Sequence, residues 1–265
     1  TNVSEGARCI EITNVSEGAR CIEITIVREG TRTFELEEVE PEARVERLAQ
    51  ELDQLLDQGV VGLSVTMPFK TDILEIGRTH TSSHAVRTIG AANTLSWPRD
   101  GKWSADNTDW MGAVRSLQEA GVTIQDKTAL VIGAGGTARA VAYGLAEWGA
   151  RTVTIANRTP ERARSLSQEL QSTTKQTKFC WTTTDGLEEL TLHDKATLRE
   201  LDIVYNTTSV GQEGTLSAGD LPLSPAALRV LSRGVAVDDA LYMPIETPLL
   251  REARELGLIT IDDFG

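Results

Sequence analysis

The sequence predicts an α/β protein built from two domains, and three observations support this. First, 265 residues are long for one compact domain and sufficient for two, each burying its own core. Second, short strand-like apolar runs alternate with helix-period segments along most of the chain, which is typical of parallel sheets flanked by helices. Third, a glycine-rich turn joins one such run, residues 128–132, to a helix-forming segment.

Periodicity and boundary residues define the individual elements. A helix is predicted at 41–58, because apolar residues from Val45 to Leu56 recur on one face and Gly59 follows as a stop. Pro68 suits the first turn of a further helix. Predicted strands lie at residues 33–39, 60–67, 128–132, 152–156, 203–205, 235–238 and 258–261, and a β-ribbon at 90–97 and 102–105. Further helices are predicted from Asp109 through Leu117 to Gly121, through Val141, Ala142, Leu145, Ala146 and Trp148, and at 248–256, with an exposed loop at 171–178.

The turn after residues 128–132 carries a phosphate-binding fingerprint. Gly133, Gly135 and Ala138 fit the pattern G-x-G-x-x-G/A of a dinucleotide-binding βαβ unit. In this pattern the first glycine allows the tight turn and the second lets the backbone approach a pyrophosphate. The turn residues Gly133, Ala134, Gly135 and Gly136 are therefore candidate cofactor-binding residues, at a helix N-terminus that attracts phosphate.

The end of the next strand indicates which dinucleotide binds. Enzymes that use NAD usually place an acid there against the ribose 2′-hydroxyl, whereas this chain has Asn157, Arg158 and Thr159, with Arg162 one turn further on. Guanidinium groups would bind a 2′-phosphate through charge-assisted hydrogen bonds. The predicted cofactor is NADP, in a doubly wound Rossmann domain.

Composition excludes several classes of function. A net charge of −13 argues against nucleic acid as a partner, and apolar runs are too short to cross a membrane. Cys9, Cys21 and Cys180 have no metal-ligand spacing, and His80 and His84 lack the glutamate of a zinc motif, so we predict no metal site. The opening residues lack the apolar core of a secretory signal, so we expect reduced thiols and a cytoplasmic location.

The first 24 residues are anomalous, because TNVSEGARCIEI at 1–12 recurs letter for letter at 13–24. Stacking repeats normally come in threes or more and diverge in sequence. We favour an artefact in the sequence and assign no function to this stretch. The alternative is a β-hairpin whose CIEI segments pair.

Two polar clusters precede the glycine turn. Lys70 ends a strand-to-turn segment, where a helix dipole and desolvation in a cleft would penalise its ammonium form and suit it to proton transfer. Asp109 opens a helix, where the dipole favours a carboxylate. Spacing alone leaves a solvated lysine and a simple N-cap at least as plausible as catalysis.

At this point the chain resembles the shikimate dehydrogenases, including the quinate/shikimate dehydrogenases and the matching domain of the fungal pentafunctional shikimate-pathway protein. The similar segments run in family order from about residue 33 to residue 261. They are residues 65–70, 90–94, 106–109, 133–136, 157–159, 206–209 and 242–250. Each motif alone is weak, but the series is highly specific.

The resemblance implies roles for these residues. Lys70 and Asp109 resemble the catalytic pair, with Lys70 exchanging the proton, and Asp109 also faces the substrate. Thr66, Asn93 and Tyr242 match substrate-binding positions. The resemblance adds Thr207 and Ser209 to the predicted cofactor-binding residues. Those already named are the glycine turn, Asn157, Arg158, Thr159 and Arg162. The implied reaction is NADP-dependent oxidation of shikimate and its reverse, the reduction of 3-dehydroshikimate.

The resemblance also implies the division of the chain. Residues 1–110 would form the substrate-binding catalytic domain and residues 111–261 the NADP-binding Rossmann domain. Residues 262–265 would begin a return to the substrate domain. Sequence leaves the oligomeric state open between monomer and homodimer.

Two family features are absent from this sequence: an early Ser-x-Ser-Pro segment that binds the substrate carboxylate, and a C-terminal helix with a substrate-binding glutamine. Three interpretations stay open. The chain is an ordinary enzyme with both ends missing from the sequence, a relative that acts on quinate or another ring acid, or a regulatory relative that binds metabolites without turnover. Lys70, Asp109 and the arginines favour an enzyme.

Overall fold

The computed structural model describes residues 8–13, 21–26, 30–35, 41–57, 60–66, 69–76, 79–81, 83–97, 102–188 and 192–261. The chain divides into two compact units, Thr1–Thr108 and Asp109–Gly265. The predictions for Gly59, Pro68 and residues 262–265 lie outside the described residues. In the described part, no helix combines the length and the hydropathy that crossing a membrane requires.

The first unit places a mixed sheet against one long helix. Its strands are β1 (Arg8–Thr13), β2 (Cys21–Ile26), β3 (Gly30–Glu35), β4 (Val60–Val65), β5 (Thr79–Thr81), β6 (Thr94–Ser96) and β7 (Trp103–Asp106). Its helices are α1 (Pro41–Asp57), α2 (His84–Ile89) and a short 3-10 helix, Asp72–Leu74. The predicted face of α1 is confirmed, since Leu48, Leu52 and Leu55 are buried in one apolar cluster with Trp103.

The prediction of parallel sheets does not hold throughout this unit, whose sheet is mixed, whereas the predicted β-ribbon is confirmed by the antiparallel pair of β6 and β7. The described strands run in the order β3-β2-β1-β4-β6-β7-β5, and only β1 with β4 and β5 with β7 pair in parallel. A short connection explains the antiparallel pair of β6 and β7, because a parallel crossover needs a dozen or more residues and only 97–102 separate these strands. It does not explain the antiparallel pair of β4 and β6, which are separated by residues 66–93. The strands that contain the two CIEI segments pair antiparallel, β1 with β2, as in the hairpin interpretation, but the register brings only Ile12 and Ile24 of these segments opposite each other.

The second unit confirms the doubly wound prediction. Its strands are β8 (Thr128–Ile132), β9 (Thr152–Asn157), β10 (Lys178–Thr183), β11 (Ile203–Asn206), β12 (Ala236–Asp239) and β13 (Ile259–Ile261), all parallel. Their order is β10-β9-β8-β11-β12-β13, the 3-2-1-4-5-6 order of a Rossmann sheet. The helices are α3 (Asp109–Glu119), α4 (Gly136–Glu147), α5 (Pro160–Thr173), α6 (Thr184–Glu188), α7 (Leu192–Arg199), α8 (Pro225–Leu228) and α9 (Pro248–Glu255).

Several local predictions need correction. Trp148 is the C-cap of α4 and is 47% exposed, so it lies outside the apolar face assigned to it. The predicted loop at 171–178 is shorter, because α5 extends to Thr173 and β10 begins at Lys178. Thr177 in this connection is buried and donates its hydroxyl hydrogen bond to the Ala150 carbonyl at 2.7 Å. The polar composition of residues 171–178 predicts an exposed loop and does not indicate this buried hydrogen bond.

Helix α3 packs closely on α4 through a glycine that the sequence pattern does not single out. A Cβ on Gly144 would lie 2.8 Å from the Trp110 carbonyl oxygen. The rings of Trp110 and Tyr143 pack edge-on, with their centroids 5.5 Å apart. On α3 itself, a Cβ on Gly112 would have no neighbour within 4 Å. Substituting these two helical glycines therefore distinguishes the effect of close helix packing from that of helix propensity.

We expect Gly144→Ala to destabilise the protein by about 1–3 kcal/mol, because the two helix backbones must move apart. The matched control Gly112→Ala should stabilise it by about 0.5–1 kcal/mol through the better helix propensity of alanine. Urea denaturation followed by circular dichroism measures both. Equal effects of the two substitutions would contradict the close packing.

An ion pair fixes the amino ends of β8 and β11. Asp202 accepts hydrogen bonds from Lys127 Nζ and the Thr128 N–H, both at 2.9 Å. Burial raises the pKa of the Asp202 carboxyl. These hydrogen bonds and the charges of Lys127 and Arg151 outweigh that effect and hold the pKa below its usual range.

A lowered folded-state pKa makes this ion pair stabilising above the unfolded pKa of about 3.9, and the stabilisation disappears as pH falls through the folded pKa. Asp202→Asn should therefore lower the free energy of unfolding at pH 7, and its difference from wild type should shrink in acid. Urea denaturation between pH 7 and pH 3 measures this. Glu200→Gln, at an exposed carboxylate in the same connection, is the control, and a pH-independent difference would contradict the assignment.

Candidate functional site

The strand order of the second unit reverses between β8 and β11, and ligands of open α/β sheets bind outside the carboxyl ends of the strands at such a point. β8 ends at Ile132 and β11 at Asn206, two directly paired residues. The glycine turn follows β8, and the loop with Thr207 and Ser209 follows β11. The fold thus places these predicted cofactor residues at one edge of the sheet.

The glycine turn has the geometry that its sequence predicts. Gly133 has a φ of +118°, and a Cβ there would lie 2.4 Å from Thr207 Oγ1. Gly135 is the exposed N-cap of α4, where a Cβ would meet nothing within 4 Å, and Ala138 is fully buried. Packing within the chain therefore requires glycine at position 133 but not at position 135.

The loop after β9 presents cations at its surface. Arg158 and Thr159 are exposed, and so is Arg162 in the first turn of α5. Asn157, at the strand end, donates from Nδ2 to the Thr159 carbonyl at 3.1 Å and shapes the turn. Within the described part of the chain, neither Arg158 nor Arg162 forms an ion pair or a side-chain hydrogen bond.

A third arginine nearby is engaged instead. Arg139 on α4 donates from Nη1 to Glu169 Oε2 at 2.7 Å, joining α4 to α5. This hydrogen bond, with a weaker contribution from Ser165, holds the pKa of the Glu169 carboxyl below its usual range. The acid therefore stays ionised beside Arg139, while Arg158 and Arg162 lie free of it.

The loops after β11 and β12 carry the remaining predicted residues of this unit. Thr207 is buried, and its N–H and hydroxyl both donate to the Ile132 carbonyl, at 2.9 and 2.7 Å. Ser209 is exposed, and Tyr242 is 72% exposed in the loop before α9. The hydroxyl hydrogen of Thr207 is thus directed into the protein rather than outward.

In the first unit, three segments meet at the ends of β4, β6 and β7. The Val65 N–H donates to the Asn93 carbonyl and the Ala92 N–H to the Lys70 carbonyl, both at 2.7 Å. The turn from Thr66 to Lys70 is closed by the Phe69 N–H on the Thr66 carbonyl at 2.9 Å. Thr66, Lys70 and Asn93 are therefore brought together, and Lys70 is partly buried.

Asn93 also binds the segment that leads into α3. Its Oδ1 accepts from the Thr108 N–H and its Nδ2 donates to Thr108 Oγ1, each at 2.9 Å. Asn107 is fully buried and donates from Nδ2 to the Ala91 carbonyl at 2.9 Å. Asp109 is the first residue of α3 and of the second unit, whereas Lys70 belongs to the first.

Sequence reasoning missed two residues at the sheet edge of the second unit. Asn206 and Asp239 end adjacent strands, are buried, and share a hydrogen bond from Asn206 Nδ2 to Asp239 Oδ1 at 2.9 Å. The signal available was a pair of acids, Asp238 and Asp239, directly after the apolar run 235–237. The predicted strand ended one residue short of Asp239.

Comparison with known proteins gives a consistent picture. Two family models match: "Shikimate / quinate 5-dehydrogenase" over residues 115–264, and "Shikimate dehydrogenase substrate binding domain" over residues 27–95. A shikimate dehydrogenase (NADP(+)) from Methanocella arvoryzae is 43% identical over 207 residues, which are 78% of this chain and 68% of the relative. The chain spans about two thirds of the length of the curated relatives it matches.

Solved structures are similar in fold. Shikimate 5-dehydrogenase from Listeria monocytogenes, in complex with shikimate and NAD, has a TM-score of 0.68 and 29% identity, covering 83% of this chain and 73% of that one. The enzyme from Thermus thermophilus, in complex with NADP(H) and shikimate, has a TM-score of 0.64 and 30% identity, covering 85% and 73%.

Proposed function

Because the chain belongs to the shikimate/quinate 5-dehydrogenase family, we propose that it catalyses reversible hydride transfer between NADPH and 3-dehydroshikimate, giving shikimate. The observation that carries the cofactor assignment is the pair of exposed arginines, Arg158 and Arg162, one strand away from the glycine turn at the switch point. The relatives named as NADP(+) enzymes support the same cofactor.

The residues of the second unit fit a dinucleotide phosphate. Gly135 leaves open the space that a Cβ would fill, so a pyrophosphate can approach the backbone of residues 133–136 at the N-terminus of α4. Asn157 and Thr159 shape the next loop, and Arg158 and Arg162 would hold the 2′-phosphate. When bound, the nicotinamide supplies the hydride acceptor or donor. Thr207 and Ser209, in the loop after β11, would line the bound cofactor.

The chain's own residues would manage the proton and the substrate. Lys70 Nζ would take the proton of the shikimate hydroxyl as the hydride leaves the ring carbon, and return it in the reverse reaction. Asp109 would hold the lysine and a ring hydroxyl. Thr66 and Tyr242 would bind further hydroxyls of the ring. Each such contact discriminates strongly, because an analogue without the hydroxyl leaves a buried polar group unpaired.

Asn93 has a more constrained part in this proposal. Its Oδ1 accepts from the Thr108 N–H and also from Thr94 Oγ1 at 3.0 Å, and its Nδ2 donates to Thr108 Oγ1. Any contact with the ring would therefore be made by an amide that already joins β6 to the start of α3. Its orientation toward substrate would be fixed by Thr108.

Quinate is the second candidate substrate, because the family model that matches the second unit covers both acids. Shikimate is preferred because the similar relatives are named shikimate dehydrogenase (NADP(+)), whereas Arg158 and Arg162 favour NADP but do not distinguish the two acids. A cytoplasmic location stays a prediction, supported by the odd number of cysteines, which suits reduced thiols. The monomer and the homodimer both stay open as predictions.

We expect the purified protein to reduce NADP⁺ with shikimate, and Lys70→Ala to lower kcat by about 10²–10⁴-fold, because proton transfer is lost. NADP⁺ affinity should stay near wild type, since Lys70 belongs to the other unit. NADPH absorbance measures turnover with shikimate and with quinate, and calorimetry measures cofactor binding.

Lys70→Arg separates proton transfer from charge, because a guanidinium keeps its proton at accessible pH. It should be as inactive as Lys70→Ala, and exposed Lys178→Ala should be unaffected. Activity in Lys70→Arg would assign only an electrostatic role to the lysine. Binding of shikimate without NADPH formation at any pH would instead support the regulatory interpretation.

We expect Arg158→Ala and Arg162→Ala each to weaken NADP⁺ binding by about 10–100-fold, because each removes a charged hydrogen bond of about 1.5–3 kcal/mol. NAD⁺ binding should change little. Arg164→Ala, an exposed arginine on the same helix, is the matched control. Equal weakening of NADP⁺ and NAD⁺ would show that these arginines do not bind the 2′-phosphate.

A further inference from the structure

A buried carboxylate lies beneath the loop that carries Tyr242. Asp239, the last residue of β12, is 2% exposed. Its Oδ1 accepts from Asn206 Nδ2 at 2.9 Å and from the Leu241 N–H at 3.3 Å, and its Oδ2 accepts from Thr247 Oγ1 at 2.8 Å. One side chain therefore holds groups from the end of β11, the start of the Tyr242 loop and the end of that loop.

The Asn206 side of this network fixes the loop after β11. Asn206 is fully buried, and its Oδ1 accepts from the Thr208 N–H at 3.1 Å and from Thr208 Oγ1 at 2.8 Å. Its backbone carbonyl accepts from the Ala240 N–H at 2.9 Å. The loop with Thr207 and Ser209 is thus joined to the start of the Tyr242 loop through Asn206 and Asp239.

The Thr247 side fixes the far end of the Tyr242 loop. Thr247 is fully buried and is the N-cap of α9, where its Oγ1 accepts from the Leu250 N–H while donating to Asp239. The loop between Leu241 and Thr247 is therefore held at both ends by one carboxylate. Tyr242 lies between these two anchors and is 72% exposed.

An ionised carboxylate suits this place because it only accepts hydrogen bonds, and three donors from different segments converge on it. An amide at position 239 could still accept from Asn206 and Leu241. Its NH₂ would face Thr247, whose hydroxyl would have to turn its proton away. Alanine would leave all three donors without this acceptor, and buried unpaired donors are costly.

We propose that Asp239 is a positioning residue that sets the Tyr242 loop relative to the loop of Thr207 and Ser209, and so fixes Tyr242 for catalysis. This inference rests on the proposed dehydrogenase function. Asp239 acts through the two loops it joins, and it does not itself touch cofactor or substrate. Misplacement of a positioned group by about 1 Å can cost about a hundredfold in rate.

The test compares Asp239→Asn and Asp239→Ala in shikimate oxidation, at a temperature below unfolding of both variants. We expect kcat to fall in the order wild type, Asn, Ala, with about a hundredfold loss for Ala and little change in KM for NADP⁺. If Asp239→Ala does not fold, Asp239→Asn alone carries the comparison. The matched control for lost stability is Asp202→Asn, at the amino ends of the strands, and its kcat should equal that of wild type.

A double-mutant cycle separates positioning from general destabilisation. In a Tyr242→Ala background, Asp239→Asn should lower kcat far less than in the wild-type background, because the positioned group is already gone. Independent, multiplicative losses would overturn the inference. So would a kcat for Asp239→Asn no lower than that of Asp202→Asn.

Hydrogen exchange tests the anchoring without any turnover. The Leu241 amide, which loses its acceptor, and the Thr208 amide should lose protection in Asp239→Ala, while the amides of β8 keep theirs. Unchanged protection at Leu241 overturns the positioning role even in an active enzyme. If wild type fails to oxidise shikimate, the proposed function fails instead, and the exchange result still decides whether Asp239 holds the loop.

Discussion

The second unit depends on two strand ends that come closer than any side chain at position 133 would allow. Thr207 Oγ1 lies 2.4 Å from where a Cβ of Gly133 would stand, and Gly133 adopts a φ of +118° that suits only glycine. Thr207 then gives both its N–H and its hydroxyl to the Ile132 carbonyl. Since β8 and β11 flank the reversal of strand order, this contact lies at the point where dinucleotides bind in such sheets.

The charges near the site proposed for the 2′-phosphate are opposite in sign to the net charge of the chain. A net charge of −13 would repel an anionic cofactor and an anionic ring acid at long range. Screening limits that repulsion to roughly 8 Å at physiological salt, so the nearest charges decide. Arg139 is bound to Glu169. Arg158, in the loop after β9, and Arg162, in the first turn of α5, are both exposed. The site proposed for the 2′-phosphate is therefore cationic although the protein is acidic.

Side-chain hydrogen bonds hold loops at strand ends in both units. In the first unit Asn93 binds Thr108, at the entry to α3. In the second, Asn206 and Asp239 join the loops after β11 and β12. Directional hydrogen bonds fix a loop more narrowly than apolar contacts do, and partly satisfied buried networks are costly. In the second unit the exposed candidate residues Ser209 and Tyr242 therefore lie on loops that are joined by buried hydrogen bonds.

The features that could be predicted from the sequence are those encoded locally. Strand 128–132, the glycine turn and helix α1 were predicted because their periodicity and boundary residues lie within a few residues of one another. Only the folded structure establishes that β4 pairs antiparallel with β6 and that Gly144 must accommodate Trp110. It also decided that Asp239 joins two loops, because its partner Asn206 lies 33 residues away. Such partners are chosen when separate segments meet in the folded chain, and no local pattern of residue types specifies that meeting.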